Sequence, residues 1–113
     1  NAAGPVLTEQ AMEWFIGHYM ADRSRMKDEL ASPWFAADSM LKGTPPALVI
    51  TAQFDPLRDE GEAYGARLIR NGTPASIVRF NGQFHSFFGM LGLLDDAESA
   101  HQISAAALRR ALA

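Results

Sequence analysis

The pattern of apolar and polar positions divides the chain into three helices and two strands. From Thr8, a suitable N-cap, to about Met20, the apolar residues Met12, Phe15, Ile16, Tyr19 and Met20 recur at helical spacing and form one stripe. Such a stripe predicts a core-facing helix or the wall of an apolar pocket, because Met and flat aromatic side chains adapt to varied ligands. Trp14 falls off the stripe, and His18 reads as a structural histidine. Asp22–Leu30 (DRSRMKDEL) predicts a solvated surface turn, and Ser32-Pro33 and Gly43-Thr44-Pro45-Pro46 punctuate loops. Ala47–Ala52 is an apolar, β-branched run, the pattern of a parallel strand covered on both faces, and it ends at Gln53, Phe54 and Asp55. Pro56 suits the first position of a helix, predicted from about Leu57 to Asn71. Gly61, Tyr64, Gly65 and Leu68 share one face of that helix, and the two glycines let its backbone approach a sheet. Asp59, Glu60 and Glu62 near its start and Arg67 and Arg70 near its end suit the macrodipole; Asn71-Gly72 supplies the stop. Ser76–Phe80 is the second strand, closed by the turn signal Asn81-Gly82. The last helix covers Asp95–Leu112, with Ala100, Ile103, Ala107, Leu108 and Ala111 on its buried side.

Composition narrows the class. The chain has 113 residues, room for one domain, with 48% hydrophobic and 20% charged residues, as in a folded globular protein. A net charge of −3 leaves no basic footprint for nucleic acid and no polybasic membrane anchor. No apolar run approaches the ~20 residues of a membrane span. Without cysteine, disulfides and thiolate chemistry are excluded, which is compatible with the cytoplasmic location expected here. Two parallel strands do not make a self-sufficient sheet, and their apolar faces demand further strands and helices. The 113 residues are therefore expected to be the C-terminal part of a larger α/β fold, with its N-terminal part as their first partner.

The candidate chemistry lies after the strands. Asp55 stands at the carboxyl end of the first strand, the edge where open α/β sheets carry their functional groups. His85 follows the second strand. A right-handed strand–helix–strand crossover sets the ends of both strands side by side, so one carboxylate and one imidazole reach the same rim. Plainer roles exist: an Asp before Pro commonly caps a helix, and a His among Phe84, Phe87 and Phe88 commonly packs at the surface. Most of the apolar residues around it, with Met90, Leu91, Leu93 and Leu94, are expected to pack the loop onto the last helix. A nucleotide-binding βαβ unit would need a glycine-rich loop after the first strand, where the sequence reads QFDPLRDEG.

The string DPLRDEGEAY (Asp55–Tyr64), preceded by PPALVITAQF and followed by GQFHSFFGM (Gly82–Met90), closely resembles the C-terminal part of the hormone-sensitive-lipase-like family of α/β-hydrolases. The resemblance runs from about Gly4 to the end. It implies a partial α/β-hydrolase domain over 1–113, with 1–44 covering the acyl pocket and 45–113 forming the strand–helix–strand–helix unit. By resemblance Asp55 is the acid and His85 the base of a Ser-His-Asp triad, and Asp59 is a helix-start residue outside it. The implied reaction is hydrolysis of uncharged carboxylic esters with short or medium acyl chains, through an acyl-enzyme and without cofactor or metal. Two departures stand out. The family usually has glycine after the histidine, and here it is Ser86. Neither a G-x-S-x-G elbow nor an H-G-G-G oxyanion loop occurs in the chain. In α/β-hydrolases the triad runs Ser, acid, His, so both motifs are expected upstream of Asn1. A non-catalytic ligand-binding relative, or a structural fragment without activity of its own, are the alternatives.

Overall fold

The computed structural model describes residues 5–113, so Asn1–Gly4, the start of the predicted lead-in, lie outside the described residues. The elements are α1 (Glu9–Tyr19), α2 (Asp38–Leu41), β1 (Ala47–Phe54), α3 (Arg58–Arg70), β2 (Ala75–Phe84) and α4 (Asp95–Leu112). Short 3-10 turns fill Arg23–Arg25, Pro33–Phe35 and Phe87–Gly89. β1 and β2 pair in parallel, in continuous register from Ala47 opposite Ala75 to Ala52 opposite Phe80.

Alternation along the strands sends odd-numbered and even-numbered residues of β1 to opposite faces. On the odd face lies α3, whose glycines admit it closely. A Cβ added at Gly65 would stand 2.9 Å from Ile77 Cγ1 and 3.2 Å from Val49 Cγ2. On the even face, Ala52, Phe87 and Ala100 are buried together, with Ile50, Phe80 and Leu94 packed around them. A second small core joins Ala36 and Leu41 to Leu68, at the amino ends of the strands. Arg67 tightens that junction by donating to the Trp34 carbonyl at 2.5 Å, to the Ala36 carbonyl, and to Asp38 Oδ1 at 2.7 and 2.9 Å.

Several expectations hold. Thr8 caps α1 by accepting the Ala11 N–H, β1 pairs in parallel, and the bounds of α4 are those predicted. Others need correction. The α1 stripe is not a core face within this chain: no residue of α1 is buried, and Tyr19 is 76% exposed. The buried side of α4 is only Ala97 and Ala100, while Leu108 is 60% exposed and Ile103 and Ala111 also face solvent. Both helices satisfy the periodicity for burial, but a stripe is buried only where another layer lies across it. α3 starts at Arg58 rather than at Pro56 or Leu57, because Asp55 first forms a turn in which its Oδ1 accepts the Leu57 N–H at 2.8 Å. β2 runs four residues beyond Phe80, through Asn81-Gly82, instead of turning there.

Candidate active site

The extension of β2 delivers the site. Past Ala52 opposite Phe80 the next paired residues are Phe54 and Phe84, so Gln53 on β1 faces Asn81, Gly82 and Gln83 on β2. Gly82 takes φ +85°, a conformation that strains residues with a side chain. The Asn-Gly signal was real, but it marks a bulge within the strand. Beyond the bulge the ladder closes again at Phe84, and His85 emerges beside Asp55.

His85 Nδ1 lies 2.8 Å from Asp55 Oδ2. A carboxylate only accepts, so Nδ1 carries the proton and Nε2 is the basic nitrogen. The other carboxylate oxygen, Oδ1, is held by the Leu57 N–H at the start of α3. Both oxygens are thus engaged, which fixes the plane of the carboxylate. The Asp55 side chain is 14% exposed and that of His85 30%, so the pair sits half-sunk in the rim with the imidazole open on one side.

The loop after His85 is anchored from the core. Phe87 is buried, with its ring centroid 5.1 Å from that of Phe80, and Leu94 packs on the same cluster, as the apolar loop predicted. Phe88 stacks on His101 at 4.0 Å, and His101 Nε2 donates to the Phe88 carbonyl at 2.9 Å. Ser86 has φ 71°, the left-handed region. That backbone conformation accounts for the glycine that the resemblance places there, and it lies between His85 on Asp55 and Phe87 in the core with Ala52 and Ala100. Gln83 Nε2 donates to Asp96 Oδ2 at 2.7 Å and ties the end of β2 to the first turn of α4.

The neighbouring charges are accounted for separately. Asp59 is 78% exposed and pairs with Arg58 at 2.7 Å; that hydrogen bond lowers its pKa. Arg58 also donates to the Gln53 carbonyl at 2.7 Å. Glu62 suits the helix dipole, as its place in the sequence predicts, but it also bridges three elements. It accepts from the Thr51 hydroxyl at 2.8 Å and from Arg79 at 2.5 and 2.7 Å. The Arg79 hydrogen bonds, with help from Thr51, bring its pKa down to about 2. Sequence reasoning missed the Gln53, Gln83 and Glu62 contacts, all of which join residues far apart in the chain. The one local signal for the bulge was Asn81-Gly82 itself. A groove of about 1050 Å³ lined by Pro46, Ile69, Val78, Ile103 and Leu108 lies at the other end of the strands, away from Asp55 and His85. Among the described residues, no helix is long and apolar enough to cross a membrane.

Comparison with known proteins agrees with this architecture. The profile of the alpha/beta hydrolase fold family matches residues 1–89. An esterase of Fusarium pseudograminearum is 39% identical over 106 residues, 93% of this chain and 33% of the relative. An arylesterase of Saccharolobus solfataricus is 41% identical over 78 residues, 69% of this chain and 25% of the relative. The crystal structure of a thermophilic carboxylesterase cloned from a metagenomic library superposes with a TM-score of 0.90 at 39% identity, covering 96% of this chain and 36% of that one. The chain spans about a quarter to a third of the length of the curated relatives it matches. Matched by the alpha/beta hydrolase fold profile over residues 1–89 and similar to esterases in sequence and fold over nearly its whole length, this chain is a member of the hormone-sensitive-lipase-like family of α/β-hydrolases.

Proposed function

We propose that the chain supplies the acid and base of a serine carboxylic-ester hydrolase, with Asp55 as the acid and His85 as the base. The observation that supports this reading is the 2.8 Å contact between His85 Nδ1 and Asp55 Oδ2, with the second carboxylate oxygen already taken by the Leu57 N–H. That arrangement holds the proton on Nδ1 and leaves Nε2 to act on a nucleophile. A serine hydroxyl is a poor nucleophile near neutrality and needs such a base. As its oxygen bonds to the ester carbonyl carbon, Nε2 takes the hydroxyl proton. The imidazolium then returns that proton to the departing alkoxide, and an acyl-enzyme remains. Water enters by the same route: Nε2 takes its proton, the oxygen bonds to the acyl carbon, and the serine recovers the proton as the acid leaves. Throughout, Asp55 stabilises the imidazolium and stays ionised.

In this reading the nucleophile and its oxyanion donors come from an upstream part of the polypeptide, since the 113 residues contain no G-x-S-x-G. The segment before β1 covers the acyl side in this reading, and Arg67 fastens its Trp34, Ala36 and Asp38 to α3. The substrates are carboxylic esters, in keeping with the esterase and arylesterase relatives, and the family resemblance implies uncharged ones with short or medium acyl chains. The test is hydrolysis of a short-chain chromogenic ester by the full polypeptide and by residues 1–113 alone, each with and without a serine-directed phosphonate. Turnover is expected only in the full polypeptide. It should be abolished by the phosphonate and by His85→Ala, and kcat/KM should rise with pH across the range in which imidazoles lose their proton. Phosphonate-sensitive turnover by the 113 residues alone would make one of their own serines the nucleophile. A flat pH profile would remove the histidine base.

A further inference from the structure

We infer that Gln53 is a positioning residue for the Asp55–His85 pair, acting through the bulge in β2; this rests on the proposed triad roles. The inference starts from register. Were the ladder between Ala52–Phe80 and the strand ends continuous, Asp55 would stand level with Gln83, and His85 with Leu57. His85 would then lie two residues, about 6–7 Å, beyond the carboxylate. The observed pairing of Phe54 with Phe84 removes that offset and sets His85 level with Asp55. The bulge adds two residues to β2, an even number, so side chains beyond it keep their faces. It therefore shifts His85 along the strand without turning it away.

A bulge leaves backbone groups off the ladder, and a donor without a partner is costly. Here the Gly82 N–H is taken by the side-chain oxygen of Gln53, at 2.7 Å. Gln53 is the residue that faces the three bulged residues, and its own carbonyl is held by Arg58 at 2.7 Å. The amide oxygen thus stands in for the missing ladder acceptor, and Arg58 secures the backbone from which it reaches. Space around Gly82 is open, with no atom within 4 Å of an added Cβ, so at that residue the hydrogen bond to Gln53 fixes the backbone, while Gln83, the next bulged residue, is held by Asp96 at 2.7 Å. Through the Gly82 hydrogen bond, Gln53 sets the register on which the 2.8 Å separation of Asp55 and His85 depends.

The experiment compares Gln53→Met, nearly isosteric but without the amide, with Gln53→Glu, which keeps an acceptor oxygen, in the full polypeptide. Two readouts are followed: kcat and KM on a short-chain ester, and the low-field proton NMR signal of the His85 Nδ1–H in the Asp55 hydrogen bond. Gln53→Met is expected to lower kcat about tenfold or more with KM within about twofold, and to broaden or shift the low-field signal, because small misplacements of a base are costly. Gln53→Glu is expected to recover most of both. A Gln53→Met protein with unchanged kcat and an unchanged low-field signal would overturn the inference. If that variant does not fold, amide exchange in the unsubstituted protein decides instead: the Gly82 N–H must be protected, and exchange at the rate of a free amide overturns the role. His85→Ala is the control. Turnover that survives it refutes the base role, while the low-field signal in Gln53→Met still tests positioning.

Discussion

Replacing Asp55 by Asn tests the site most directly, because the structure specifies how the amide must sit. Two neighbours compete for its single oxygen. The Leu57 N–H, 2.8 Å from Oδ1, is a fixed backbone donor, whereas His85 Nδ1, 2.8 Å from Oδ2, belongs to a ring that changes tautomer. Turning the amide nitrogen toward Leu57 would oppose two donors at the start of α3 and cost about 1–3 kcal/mol. The oxygen therefore goes to Leu57 and the NH2 group to the imidazole. His85 must then accept at Nδ1 and carry its proton on Nε2, the nitrogen that has to receive the serine proton. The expected loss in kcat is up to about 10⁴-fold, roughly 5 kcal/mol of transition-state stabilisation, with KM little changed. Asp59→Asn is the matched control, since Asp59 is largely exposed and pairs with Arg58. Its expected cost is a slight loss of stability at the helix start, with kcat within about twofold. Kinetics on a short-chain chromogenic ester, together with ¹⁵N shifts that report the His85 tautomer, read both effects. Equal kinetic losses in the two variants would refute the division of roles. So would an Asp55→Asn protein that keeps the Nδ1–H tautomer.

Glu62→Gln should destabilise the full polypeptide by about 1–2 kcal/mol at pH 7 in urea unfolding, because it leaves Arg79 and Thr51 without their carboxylate while solvent at Arg79 screens part of the loss. The Glu62 pKa is lowered from 4.5 to about 2, so its contribution is complete above pH 4.5 and fades as pH falls toward 2; the difference between variant and parent should close over that window. Gly65→Ala should cost about 1–3 kcal/mol in thermal unfolding despite alanine's better helix propensity, since its methyl meets Ile77 and Val49 at 2.9–3.2 Å. A stabilised variant would mean that the strands give way easily. Ser86→Gly should stabilise by about 0.5–1 kcal/mol by relieving the left-handed φ of 71°, and a loss of stability would show that the serine hydroxyl contributes more than the strain it imposes.

What the sequence determined by itself is what local periodicity and short motifs encode. The run Ala47–Ala52 made a parallel strand, the glycine face of α3 made a close helix–sheet contact, and Asp95–Leu112 made a helix with the predicted ends. The strand–helix–strand order also brought Asp55 and His85 to one rim, because right-handed crossovers leave little choice of where two parallel strands end. Tertiary structure decided the rest. Whether the stripes of α1 and α4 are buried depends on which layer lies across them, and a helical period carries no record of its partner. Asn81-Gly82 permits a positive φ, but a hairpin turn and a bulge both use one; only pairing with β1, where Gln53 accepts the Gly82 N–H, made it a bulge. Glu62 became a bridge as well as a dipole residue because Arg79 lies seventeen residues away on the next strand, within reach only once the sheet has formed. Contacts between distant residues depend on register, and register is a property of two strands together.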